Sequence, residues 1–144
     1  MTKDEVKQLD DKGVAAWDQH DPEAFLSLLA DDFVWYDWAV EQPMRDKAAA
    51  REYFNSWFTA FPDLHFRRST QILGDDAVAG ELDLEGTNNG PLMVGNQTLP
   101  PTQKKISSHA AYSAQVRNGK IVEFHTYGDT AGILMQLGVM PTAH

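Results

Sequence analysis

Hydrophobic and polar positions alternate in a clear order along the chain, first with helical spacing and then with strand spacing. From Lys3 to His20, Val6, Leu9, Val14 and Trp17 recur at helical intervals, with one glycine at position 13. Asp21-Pro22 reads as an N-cap followed by the first helical position, opening a short helix with Phe25, Leu28 and Leu29 on one face. Phe33 to Trp38 is aromatic and β-branched and predicts a strand. Asp46 predicts the cap of a second long helix, whose stripe of Ala50, Tyr53, Phe54, Trp57, Phe58 and Phe61 is heavily aromatic and stops at Pro62-Asp63.

Beyond that point the period becomes two. Strands are predicted over Leu64–Leu73, Ala77–Gly86, about Lys105–Val116 and Ile121–Tyr127, with Asn88-Asn89-Gly90 and Pro100-Pro101 marking a loop. Asn118-Gly119 predicts a two-residue type I′ hairpin turn. A short helical pattern follows Asp129 at once. Helices segregated against an antiparallel sheet make the fold class α+β. A bent sheet wrapped over the aromatic helix leaves a conical pocket between them.

The turn sets an expected register. Arg117 faces Lys120, and Val116 pairs with Ile121, Ala114 with Glu123, Tyr112 with His125 and Ala110 with Tyr127. Alternation then puts Tyr112, His125, Tyr127 and Asp129 on one face, and His109, Ser113, Val122 and Phe124 on the other. An acid at a strand end among a tyrosine, a histidine and apolar residues suits a proton shuttle, because desolvation raises a carboxyl pKa towards working pH. The same position suits a plain helix N-cap, accepting from the N–H of Ala131 or Gly132. Both readings of Asp129 stand on the residues alone.

Composition narrows the function classes. The chain has 144 residues, the length of one domain, with 42% hydrophobic and 23% charged residues. A net charge of −9 and no basic stripe argue against nucleic acid and anionic membranes as partners. Cysteine is absent, which excludes disulfides and Cys-ligated zinc. The five histidines are scattered, and no metal site is expected. His20, His65 and His144 fall in contexts typical of surfaces. No apolar run approaches a membrane span, and Met1-Thr2-Lys3-Asp4-Glu5 does not read as a secretion signal, so a cytoplasmic location is expected.

The chain resembles the SnoaL-like polyketide cyclases of the nuclear transport factor 2-like (NTF2-like) superfamily across residues 1–144, as one domain. The resemblance is carried by Ala16-Trp17-Asp18-Gln19-His20-Asp21-Pro22, Leu29-Ala30-Asp31-Asp32-Phe33-Val34, Met44-Arg45-Asp46-Lys47 through Leu64, Leu99-Pro100-Pro101-Thr102, Asn118-Gly119-Lys120-Ile121, and Asp129 through Gly138. It implies a cone-shaped α+β barrel with a curved antiparallel sheet, an internal apolar pocket and a homodimer formed through the outer sheet face. It also implies a cofactor-free intramolecular aldol ring closure on a polyketide-type small molecule, with an acid at the Asp129 position moving the proton. His125 and Tyr112 are then the donors to the oxyanion.

Relatives often carry a His-Asp pair in the first strand, where this chain has Tyr36-Asp37, and an aromatic residue where it has Gly128. Tyr36, Trp38, Tyr53, Trp57, Phe58 and Tyr127 are candidate aromatic walls for a hydrophobic or aromatic substrate, with core packing as the alternative for each. Asp83 and His109 are further pocket candidates. A limonene-epoxide-hydrolase-like reading would pair Asp83 with Asp129 around a water, but the position of the arginine between them holds Glu81. A non-catalytic small-molecule binding or accessory protein with the same pocket is the other alternative.

Overall fold

A computed structural model describes residues 1–140; His144 lies outside the described residues. Helix α1 (Lys3–Asp18) starts with a reciprocal cap. Thr2 Oγ1 accepts the Glu5 N–H and Glu5 Oε1 accepts the Thr2 N–H, each at 3.1 Å. It ends short of His20, which turns the chain with φ of 57°. His20 is half-buried rather than superficial: its ring lies 3.9 Å from that of Phe58, and Nε2 is 2.6 Å from the Leu64 carbonyl. His65 is exposed, as expected. Helix α2 (Pro22–Leu26) is capped by Asp21, with Pro22 in its first turn. Leu29, expected in that helix, instead opens β1 (Leu29–Asp37). Helix α3 (Lys47–Ala60) is capped by Asp46 accepting the Ala49 N–H at 2.8 Å.

The remaining strands are β2 (His65–Leu73), β3 (Ala77–Thr87), β4 (Leu92–Val94), β5 (Gln97–Leu99), β6 (Lys105–Arg117) and β7 (Lys120–Gly128). Helix α4 (Thr130–Leu137) closes the order. Strands β4 and β5 form a small hairpin in the stretch expected to be loop. The main sheet runs β1-β7-β6-β3-β2. Helices packed against a curved sheet give the expected α+β cone. The sheet is mixed rather than purely antiparallel, because β1 pairs with β7 in parallel, and its five strands leave it open.

The β6–β7 turn forms as predicted, with positive φ at Asn118 (52°) and Gly119 (77°) and with Arg117 opposite Lys120. The register does not continue as predicted. Val116 pairs with Ile121 but Gln115 pairs with Glu123, which leaves Val122 as an extra residue in a bulge. Every later pair shifts by one: Ala114 faces Phe124, Ser113 faces His125 and Tyr112 faces Thr126. A one-residue shift exchanges the faces of a strand. Tyr112, Phe124 and Thr126 therefore share the inner face. His125 and Tyr127 lie on the outer one.

The aromatic stripe of α3 divides its work. Phe54 is fully buried, with its ring 4.2 Å from Trp17 and 5.8 Å from Phe25. Phe58 packs beside them against Trp17 and His20. Tyr53 and Trp57 point elsewhere, into the space between α3 and the sheet.

Candidate active site

That space is a cavity of about 120 Å³ between the inner face of the sheet and helices α1 and α3. Its walls are mainly apolar, among them Val78, Leu82, Ala114 and Phe124. One polar row crosses them. Asp37 of β1 pairs with Thr126 of β7, Thr126 with Tyr112 of β6, Tyr112 with Gly80 of β3, and Gly80 with Gln71 of β2. Each of the five strands contributes one residue, in sheet order.

Asp37 anchors one end of the row and is 9% exposed. Its Oδ2 accepts the Thr126 hydroxyl at 2.6 Å, and its Oδ1 accepts the Ala39 N–H at 3.0 Å. The Trp35 indole N–H donates to Thr126 Oγ1 at 2.9 Å, so the threonine hydroxyl is turned towards the carboxylate. No lysine, arginine or histidine pairs with Asp37 among the described residues. Beside it, burial first and the Asp37 charge second hold the Tyr53 phenol well above its usual range, so it stays a neutral hydroxyl. Rings of Trp35 and Tyr53 meet edge to face at 5.3 Å, and those of Tyr53 and Trp57 at 6.5 Å.

Asp10 of α1 anchors the other end and is 7% exposed. The Tyr112 hydroxyl reaches its Oδ1 and Oδ2 at 2.8 and 2.9 Å, while Arg68 (2.9 Å) and Gln71 (2.7 Å) donate to Oδ2. Burial, and after it the Asp10 charge, push the Tyr112 phenol up. Glycine is required at position 80 for this contact. A Cβ there would stand 2.5 Å from the Tyr112 hydroxyl oxygen.

Of the residues singled out in the sequence, Tyr112, Tyr53, Trp57, His109 and Tyr127 contribute to the cavity lining, the last two with side chains that are also exposed. The others lie elsewhere. Asp129 is exposed and caps α4, with Oδ1 accepting the Gly132 N–H at 3.0 Å. Its chain neighbour Gly128 lines the cavity, but Asp129 does not. His125 stacks on Tyr36 at 4.8 Å on the outer face, next to Trp38 and Tyr127, because the bulge turned it away from Tyr112. Phe58 is in the core. Asp83 faces outward, where Arg67 (2.5 Å) and His109 Nδ1 (2.8 Å) bind its carboxylate. The carboxylate pair of the hydrolase reading is therefore not assembled.

Asp10 and Asp37, the two buried acids of the cavity, were not among the expected site residues. Both left a signal. Asp10 falls on the apolar stripe of α1 with Val6, Gly13 and Trp17, and Asp37 continues the inward alternation of Phe33 and Trp35. An acid on an apolar face is costly without a purpose.

Comparison with known proteins follows the same outline. AclR, a candidate hydroxylase from Streptomyces galilaeus, superposes with a TM-score of 0.85 at 24% identity, covering 99% of this chain and 87% of its own. A candidate SnoaL-like polyketide cyclase from Jannaschia sp. CCS1 gives 0.80 at 15% identity, covering 94% of each chain. IdmH, a candidate polyketide cyclase from Streptomyces antibioticus, gives 0.77 at 26% identity, covering 92% of this chain and 98% of its own. A search of the curated proteins found no match. The family profile of the SnoaL-like polyketide cyclases matches residues 7–137, nearly the whole chain, and with the fold and the internal cavity already described, the chain belongs to that family.

Proposed function

We propose that this chain is a cofactor-independent acid–base enzyme that closes a ring within an apolar, carbonyl-bearing small molecule, with Asp37 moving the proton. The observation that carries this reading is the position of Asp37, a buried carboxylate with no cationic partner among the described residues, on the wall of an apolar cavity. Family membership and the likeness to IdmH support the cyclase type of reaction. Asp37 takes a proton from a carbon flanked by two carbonyls. The enolate carbon bonds to a ketone carbon of the same molecule, and the resulting alkoxide takes the proton back from Asp37. The neutral Tyr53 hydroxyl donates to the oxygen on which charge develops. Two carbonyls acidify the carbon without help from a metal or organic cofactor. Apolar walls hold the folded chain in a reactive geometry.

The experiment is Asp37→Asn assayed on a poly-β-keto ester, with the isomeric product followed by chromatography and binding by calorimetry. Binding is expected to persist while turnover falls by about 10² or more. Unchanged turnover overturns the assignment. Binding without turnover by the wild type replaces it with a binding protein.

The same reading includes a homodimer formed through the outer sheet face, supported by an aromatic strip of Tyr36, Trp38, His125 and Tyr127 in which Trp38 is 58% exposed. It also includes a cytoplasmic location, supported by the acidic, cysteine-free composition. No helix among the described residues is long and apolar enough to cross a membrane.

A further inference from the structure

We infer that the Asp10 end of the cavity is a subsite for a hydroxyl-bearing ring of the ligand. The inference rests on the reading of this cavity as the substrate site. Asp10 and Tyr112 line the cavity whereas Arg68 and Gln71 do not, and the Tyr112 hydroxyl is committed to Asp10. Tyr112, Arg68 and Gln71 each donate to its carboxylate, and Arg68 places its other terminal nitrogen 2.8 Å from Asp11 Oδ1. The two oxygens are not equally loaded. Oδ2 accepts from Arg68 and Gln71 and shares the one Tyr112 proton with Oδ1, to which no other group among the described residues donates. A carboxylate offers about four lone-pair sites. Oδ1 therefore retains accepting capacity and has nothing to donate.

Asp10 lines the cavity, and so do its neighbours Leu9, Gly13 and Val78. An apolar ring that reaches this end gains a charge-assisted hydrogen bond if it carries a hydroxyl. A carbonyl or ether oxygen in the same place faces the Asp10 carboxylate, with the lining Tyr112 hydroxyl already bonded to that carboxylate, and loses its water without compensation. The opposite end has the reverse preference, because the Tyr53 hydroxyl there is a donor. Asp10 lies on α1, and the Tyr112 hydroxyl that meets it stands over Gly80 of β3, three strands from Asp37 of β1, about 14 Å between backbones. The ligand is thereby oriented, with its carbonyl at Tyr53 and Asp37 and its hydroxyl at Asp10.

Two neutral probes of matched shape test this, 2-naphthol and 2-methoxynaphthalene, titrated calorimetrically at pH 7. Wild type should bind 2-naphthol about tenfold more tightly. Asp10→Asn, which can turn an amide N–H towards Oδ1's position, should bring the ratio close to one. Tyr112→Phe frees Oδ1 further and should preserve or enlarge it. The 13C carboxyl resonance of Asp10 in the wild type should move with 2-naphthol and not with its methyl ether, which keeps the test independent of whether the Asn variant folds. A wild-type ratio within twofold, no binding of either probe, or an unchanged ratio in a folded Asp10→Asn protein overturns the inference. The Asp37→Asn variant should keep the naphthol preference, so a failure of the catalytic assignment leaves this subsite standing.

Discussion

The Thr126 hydroxyl donates to Asp37 Oδ2 at 2.6 Å across the parallel β1–β7 pair of the main sheet. Its own lone pair is taken by the Trp35 indole N–H, so the hydroxyl cannot rotate away without breaking two bonds. Thr126→Val keeps the shape and removes both. It should cost about 1–3 kcal/mol of stability in urea unfolding, because an indole N–H and a carboxylate oxygen each lose a partner. Thr126→Ser should recover most of that loss.

Asp129 and Asp37 separate cleanly by substitution. Asp129→Ala removes an N-cap and should cost about 1 kcal/mol of stability, whereas Asp129→Asn, also a good cap, should be nearly neutral. Both should leave turnover within a few-fold of wild type. A loss of 10² in Asp129→Asn, measured in the same assay as Asp37→Asn, would return the proton-transfer role to the helix cap.

Gly80→Ala should destabilise the protein by about 1–3 kcal/mol, because the new Cβ collides with the Tyr112 ring where it crosses β3 to reach Asp10. Tyr112→Ala in the same chain should cancel most of the added cost. A double-mutant cycle by chemical denaturation reads this coupling, and additive effects would count against it.

Asp63 ties the loop after α3 to the end of β3. The Thr87 N–H (2.6 Å) and hydroxyl (2.8 Å) both donate to it, and these bonds, the backbone one foremost, hold its carboxyl below the usual aspartate value of 3.8. A depressed carboxyl stabilises the fold above the unfolded value and loses that contribution as pH falls through the folded one. Asp63→Asn should therefore flatten the stability profile below about pH 4. Denaturation curves between neutral pH and pH 2 check the sign.

Trp38→Asp places a charge in the exposed aromatic strip beside His125 and Tyr127. If the strip joins two copies, light scattering should change from the mass of two chains to that of one across micromolar concentrations. A wild type that already scatters as a single chain removes the dimer.

Local chemistry was legible in the residues. Asp21, Asp46 and Asp129 each cap the helix that follows, because an N-cap needs only a short polar side chain and the next three residues. The Asn118-Gly119 turn, the α3 aromatic stripe, the α+β class and the family were likewise readable, since each depends on near neighbours or on motif order. Tertiary structure decided which acid is interior. The extra residue Val122 carries no local mark, yet it moved His125 to the outer face and Thr126 to the inner one. The parallel pairing of β1 with β7 joins Asp37 to a residue 89 positions away, and Tyr112 meets Asp10 across 102. Pairings of that range are selected by the burial of whole faces together, and one shifted register changes every side chain beyond it.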